Sequence, residues 1–179
     1  MRGSIGFILG LVAGLLALPL AVYMYFAFGH PPVAVADTPF PMEARLVKIP
    51  LDARIDREAP KTAPLQANEA NLTAGAEVYR AQCSSCHGLR DHPSKFGATM
   101  YPRTPQLWAQ HKNSTVVGVS DDPVGETYWR VKNGIRLTGM PSYQSLLSED
   151  QMWQVSLLLS SADKPLPAAA TALISNPLQ

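Results

Sequence analysis

The chain has 179 residues and a formal net charge of +1, from 15 Lys and Arg against 14 Asp and Glu. That balance lacks the basic face that nucleic-acid binding needs, so no nucleic-acid partner is expected. Residues 68–163 carry eight Lys/Arg and nine Asp/Glu, which leaves little net field to steer a docking partner.

From Ile5 to Phe28, 24 consecutive residues carry no charge. This is long enough to cross a hydrocarbon core as a helix and longer than a usual signal-peptide core. Pro19 is expected to kink the span, because membrane helices tolerate proline. Residues 1–28 therefore read as a transmembrane anchor in contact with membrane lipid. A competing reading has the segment removed at Ala34-Val35-Ala36. Arg2 precedes the span and no Lys or Arg occurs between Gly29 and Ala44, so the amino end is expected in the cytoplasm and the rest outside.

Residues 29–67 hold seven of the sixteen prolines (Pro31, Pro32, Pro39, Pro41, Pro50, Pro60 and Pro64). That density disfavours helix and predicts an extended linker. Leu46, Val47, Ile49, Leu51 and Ile55 are too apolar for a purely solvated tether. Part of the segment should lie against its own domain or a neighbouring subunit.

Residues 68–163 read as a compact domain. Its first helix starts at Asn68 or Asn71 as N-cap, carries Leu72, Gly75, Ala76, Val78 and Tyr79, and runs into Cys83-Ser84-Ser85-Cys86-His87. Cys-x-x-Cys-His is the attachment signature of c-type haem, and both cysteines of the chain lie inside it. Cys83 and Cys86 would each form a thioether to a haem vinyl, and His87 would be the proximal iron ligand. The other readings are a redox dithiol, which belongs near a βαβ pattern not visible here, a zinc site, which needs four ligands, and an ordinary disulfide. Attachment of haem outside the cytoplasm agrees with the charge pattern around the span. The expected location is the bacterial inner (cytoplasmic) membrane, single-pass, with this domain on the periplasmic side.

Further along, Thr104-Pro105 predicts a short helix through Leu107 and Trp108, and Asp122-Pro123 predicts another through Tyr128, Trp129 and Val131. Asn133-Gly134 stops the latter. Ser148-Glu149-Asp150-Gln151 fits a capping box opening a helix with Met152, Trp153, Val155, Leu157 and Leu159. No strand alternation competes, so the fold class is all-α. Residues 164–179, rich in Pro and Ala, read as a frayed end or a docking strip.

A proximal histidine leaves one axial position, and the candidates are His92, Met100, His111, Met140 and Met152. Met152 lies in an amphipathic helix, where methionine is usually core filler. His92 and Met100 are close to His87 in sequence. Met140 sits in a loop between two helices, after Gly139, which permits close backbone approach, and before Pro141, which stiffens the strap.

With its helix ahead of Cys83-x-x-Cys86-His87, its helix ending in Asn133-Gly134, its Gly139-Met140-Pro141 loop and its Trp-bearing last helix, the stretch 68–162 resembles a class I cytochrome c. The resemblance implies one covalent haem c with His87 and Met140 as axial ligands. It also implies a crossing of first and last helices that would set Gly75 or Tyr79 against Trp153. In this family a proline carbonyl accepts a bond from the proximal imidazole, a role for which Pro93, Pro102 and Pro105 compete. Arg103, Trp108, Tyr101 and Arg136 are candidate propionate partners.

A His/Met haem performs electron transfer, since the neutral thioether favours ferrous iron and six fixed ligands leave little to rearrange. The function expected is therefore a membrane-anchored, non-enzymatic carrier or complex subunit. It would pass single electrons from a dehydrogenase or quinol-oxidising complex to an acceptor such as a terminal oxidase. Two alternatives remain: a haem enzyme or gas sensor with a labile sixth ligand, and a mainly structural haem subunit of a respiratory assembly.

Overall fold

The computed structural model describes residues 2–176, with side chains from Ile5 onward. The side chain of Arg2 and the tail residues from Pro177 to Gln179 lie outside the described residues. Among the described residues the regular structure is helical, with no strand beyond two isolated bridges. The chain divides into two compact units, residues 1–43 and 44–179.

The first unit is built on α1 (Arg2–Phe28), which runs through Pro19 without a break. Its stretch Ile5–Phe28 is long and apolar enough to cross a membrane, and none of it is buried within the protein. Leu9, Leu15, Leu18 and Phe28 are all more than three-fifths exposed. Apolar residues around the whole circumference suit a lipid environment rather than one protein face. Beyond α1 the chain turns, with Asp37 Oδ2 accepting from the Val33 and Ala34 N–H groups at 2.8 Å each.

The second unit opens on α2 (Glu43–Glu58), where an extended linker was expected. Proline density argued against helix, and Pro50 does sit inside this one. The helix persists because tertiary packing rewards it. Ile55 and Ala59 are buried against Trp129, the Trp129 Nε1–H donates to Glu58 Oε2 at 3.0 Å, and the Arg54 guanidinium lies 5.9 Å from the Trp129 ring centre. Burial of two apolar residues plus a charge-assisted bond outweighs the single backbone bond that Pro50 removes. Leu46, Val47 and Ile49, in the first half, stay exposed.

Glu58 is held below its usual value of 4.5 by its bonds to Arg54 and Trp129. A lowered carboxylate contributes stability above 4.5 and loses it as pH falls through the lowered value. Hydrogen-exchange protection of α2 amides, corrected for intrinsic rates, is thus expected to hold above 4.5 and decline below it. Protection that stays flat down to about pH 3 would show that the carboxylate does not hold the helix.

The core lies between α3 (Glu69–Gln82), α6 (Val124–Asn133) and α7 (Glu149–Leu159). Asn68 is the N-cap of α3, accepting from Asn71 N–H at 3.0 Å. Ser148 and Gln151 form the expected capping box at the start of α7. α3 crosses α7 at Gly75, where an added Cβ would lie 2.3 Å from the Gln154 carbonyl oxygen and 3.2 Å from Leu158 Cβ. The crossing is therefore as expected but its partners are Gln154 and Leu158. Trp153 instead stacks on Tyr128 of α6, with ring centres 4.0 Å apart.

Three further expectations are corrected. Residues 104–108 form an irregular loop and a turn rather than a helix, because the Pro105 carbonyl and the Leu107 N–H are used for bonds to His87. Pro123, not Asp122, occupies the N-cap position of α6, and Asp122 Oδ2 accepts from Arg130 at 3.2 Å. The tail holds α8 (Ala168–Ser175), whose Ala170 and Ile174 are fully buried. Arg80 of α3 caps the end of α8 by donating to the Leu173 and Asn176 carbonyls at 2.7 and 2.9 Å. A cation at a helix C-terminus opposes the dipole and satisfies orphan carbonyls at once.

Candidate functional site

Cys83 ends α3, and the short turn α4 (Ser84–His87) continues directly from it. Tyr79 and Ser84 lock this junction: the Tyr79 hydroxyl donates to the Gly88 carbonyl at 2.7 Å and the Ser84 hydroxyl to the Arg80 carbonyl at 2.7 Å. Gly88 follows with φ +74°, a left-handed conformation that turns the chain away immediately after His87.

Cys83, Cys86, His87, Met100 and Met140 all line one cavity of about 340 Å³. Its walls come from α3, α6, α7 and the loops at 100–107 and 135–143, with Leu107, Val131, Ile135 and Leu159 supplying apolar surface. His92, His111 and Met152 are not among its lining residues. Of the five axial candidates, the two in the cavity besides the motif are therefore Met140 and Met100. Met152 is core filler, only 2% exposed.

His87 Nδ1 lies 2.9 Å from the Pro105 carbonyl oxygen. A carbonyl only accepts, so this bond requires the proton on Nδ1 and leaves the Nε2 lone pair free. Of the three prolines in competition, Pro105 is the one in place. Burial holds the His87 pKa below its usual value, with the Pro105 contact working the other way. A neutral imidazole with a fixed tautomer is what a metal ligand requires.

The two cysteines are unpaired with each other. Burial, and after it the neighbouring Cys86, push the Cys83 thiol up to about 12. A redox dithiol needs the opposite shift, since its thiolate does the attacking. Among the described residues no group of three or more His, Cys, Asp or Glu side chains comes together, so a zinc site lacks its ligands.

The Met140 loop is tied to itself. Ile135 N–H donates to the Met140 carbonyl at 3.3 Å, Thr138 Oγ1 donates to the Ile135 carbonyl at 2.7 Å, and Met140 N–H donates to Thr138 Oγ1 at 3.1 Å. Gly134, at φ +67°, lets the end of α6 meet the Pro141 backbone, where a Cβ would lie 2.6 Å from a carbonyl carbon. Tyr143 closes the loop: its N–H donates to Val131 and its hydroxyl to the Gln82 carbonyl at 2.8 Å. That last bond joins the methionine loop to the helix that carries Cys83.

A haem fits this donor set. Two thiols and an imidazole with a free nitrogen share one cavity with a thioether, and the walls between them are largely apolar. Thr127 Oγ1 is buried without a hydrogen-bond partner on the same wall, which accommodates a bound group with polar edges. Of the four candidate propionate partners only Arg103 lines the cavity. Arg130 lines it as well, held by Asp122 and Glu126 at 3.2 Å each. The sequence signal for Arg130 is its spacing from Thr127 and Val131, which puts all three on one face of α6.

Residues 70–157 match the family model described as "Cytochrome C oxidase, cbb3-type, subunit III". No curated protein and no solved structure matches the chain.

Proposed function

We propose that the chain is a membrane-anchored mono-haem cytochrome c carrying covalent haem c, and that it passes single electrons to a respiratory oxidase. In this reading the donor is a quinol-oxidising complex or a dehydrogenase, and the haem domain faces the periplasm. The matching family model, that of an oxidase subunit, supports the oxidase as acceptor. The single observation that carries the electron-transfer reading is the convergence of His87 and Met140 on the cavity that also holds Cys83 and Cys86.

Haem c supplies a one-electron iron couple when bound. Cys83 and Cys86 would attach it, and His87 Nε2 and the Met140 sulfur would hold its iron. Pro105 keeps the His87 ring in one orientation and one tautomer, which lowers the rearrangement between redox states. Leu107, Val131, Ile135 and Leu159 exclude water and hold the local dielectric low. The unpaired Thr127 hydroxyl and the Arg103 and Arg130 guanidinium groups offer polar contacts to the haem's acidic edge.

Native membranes containing the oxidised protein provide the test. A respiratory substrate should reduce its haem, and admitting oxygen should reoxidise it on the time scale of respiration. A haem that stays oxidised under substrate, or that binds carbon monoxide readily in the unaltered protein, would favour a sensor or enzyme over a carrier.

A further inference from the structure

The stretch 94–105, which includes α5 (Lys95–Ala98), is pinned to the haem motif along most of its length. Ser94 Oγ donates to the Ser85 carbonyl, and Ser94 N–H donates to Gln106 Oε1 at 2.6 Å. Gly97 sits directly on Cys86, where a Cβ would lie 2.0 Å from the Cys86 carbonyl oxygen. Thr104 N–H returns to the Gly97 carbonyl at 3.2 Å, and Pro105 holds His87. One side of this strap is therefore fastened to the Cys-x-x-Cys-His turn.

Its other side reaches the methionine loop. The Met100 side chain lies against Gly139, its terminal methyl occupying the room a side chain there would take: an added Cβ would come within 1.9 Å of Met100 Cε. The Met100 sulfur is held in turn, accepting from Thr104 Oγ1 at 3.2 Å. Gly139 adjoins Met140, so the contact bears on the residue next to the thioether. Met100 is half-buried and lines the same cavity.

We propose that Met100 is a positioning residue for Met140, clamping the Gly139-Met140 loop so that the strap 94–105 orients both axial side chains together. This rests on the reading of His87 and Met140 as axial ligands. The internal bonds of the loop fix its shape, but they do not fix its distance from the His87 side of the cavity. Tyr143 anchors the loop to α3 from behind, and Met100 anchors it from the strap. Removal of the methionine leaves a void where the loop can retreat, lengthening or breaking the sixth bond.

The test uses the full-length holoprotein in detergent. Its ferric sulfur-to-iron charge-transfer band reports Met140 ligation, carbon monoxide binding reports an open sixth position, and haem content reports folding. If the unaltered protein lacks the band, the ligand reading fails and the clamp with it. If the band is present, Met100→Ala is expected to weaken it and to speed carbon monoxide binding, with haem content unchanged. A rise in the open fraction from roughly 1% to 10% would give about a tenfold faster apparent rate.

Met100→Leu, which refills the volume without sulfur, is expected to restore most of the band. If Met100→Ala costs haem content, Gly139→Ala replaces it: the new Cβ displaces the Met100 methyl while the thioether stays. Gly139 has no left-handed φ to strain an alanine. Gly139→Ala should then weaken the band in the same way. A wild-type band and carbon monoxide rate in Met100→Ala, or in Gly139→Ala where that variant stands in, would overturn the clamp while leaving the ligand reading intact.

Discussion

Met140→Ala is expected to leave the haem attached, lower its potential and open the iron to carbon monoxide. Attachment survives because Cys83 and Cys86 come from the end of α3 and from α4, and the substitution leaves the Tyr143 bond to the Gln82 carbonyl in place. Two effects lower the potential, and they share a sign. The loss of a neutral sulfur ligand removes a preference for ferrous iron, and solvent entering the vacated side favours the more highly charged ferric state. Axial ligands span roughly 0.8 V across haem proteins, so a fall on the order of 0.1–0.3 V is a reasonable share for one ligand. At 59 mV per tenfold change for one electron, about 0.18 V is a thousandfold shift towards ferric. Such a fall should halt delivery to a high-potential acceptor. Potentiometric titration and carbon monoxide difference spectra check both parts. An unchanged potential and band would remove Met140 from the sixth position, and Met100, in the same cavity, would be the next thioether to replace.

The parts of this fold legible in the sequence are those written in short-range chemistry. Asn68, the Ser148-Gln151 box and Gly134 each mark a helix end through a local hydrogen bond or a left-handed turn, and each is where it was expected. Cys83, Cys86 and His87 share a cavity with Met140 because a five-residue motif and a Gly-Met-Pro loop carry their own geometry. What escaped depends on contacts distant along the chain. The proline density of 29–67 disfavours α2, yet the helix forms because its stability comes from Trp129, some seventy positions away. The tail's alanines look featureless, yet Ala170 and Ile174 are one turn apart and both fully buried. Pro167 at the N-cap was the available cue. Residues 104–108 carry a convincing helix start, but Pro105 and Leu107 bond to His87. Arg130 is marked in the sequence only by its spacing from Thr127 and Val131, a signal that acquires meaning once that face of α6 is known to turn inward.

The crossing of α3 and α7 yields the largest expected loss of stability, and there two magnitudes oppose each other. Glycine inside a helix costs about 1 kcal/mol relative to alanine, so propensity alone predicts that Gly75→Ala stabilises α3. Packing predicts the reverse. The new Cβ would lie 2.3 Å from the Gln154 carbonyl oxygen and 2.7 Å from its carbon, and both belong to backbone that cannot swing aside as a long side chain would. Forcing an extra carbon into a filled interior costs roughly 1–3 kcal/mol, and more where backbone must shift. Packing therefore wins: Gly75→Ala should be net destabilising, and Gly75→Val, with two further methyls, should lose more than about 3 kcal/mol. The damage should reach the haem site, because the same helix delivers Tyr79 to Gly88 and Cys83 to the cavity one to two turns later. Denaturant unfolding of the holoprotein, followed through the haem spectrum, should show midpoints in the order glycine, alanine, valine, with haem content falling in the same order. The exposed helix residue Ala70 provides the control. Ala70→Gly should cost only about the 1 kcal/mol of propensity, and a Gly75→Val midpoint no lower than that of Ala70→Gly would mean the two helices do not meet backbone to backbone.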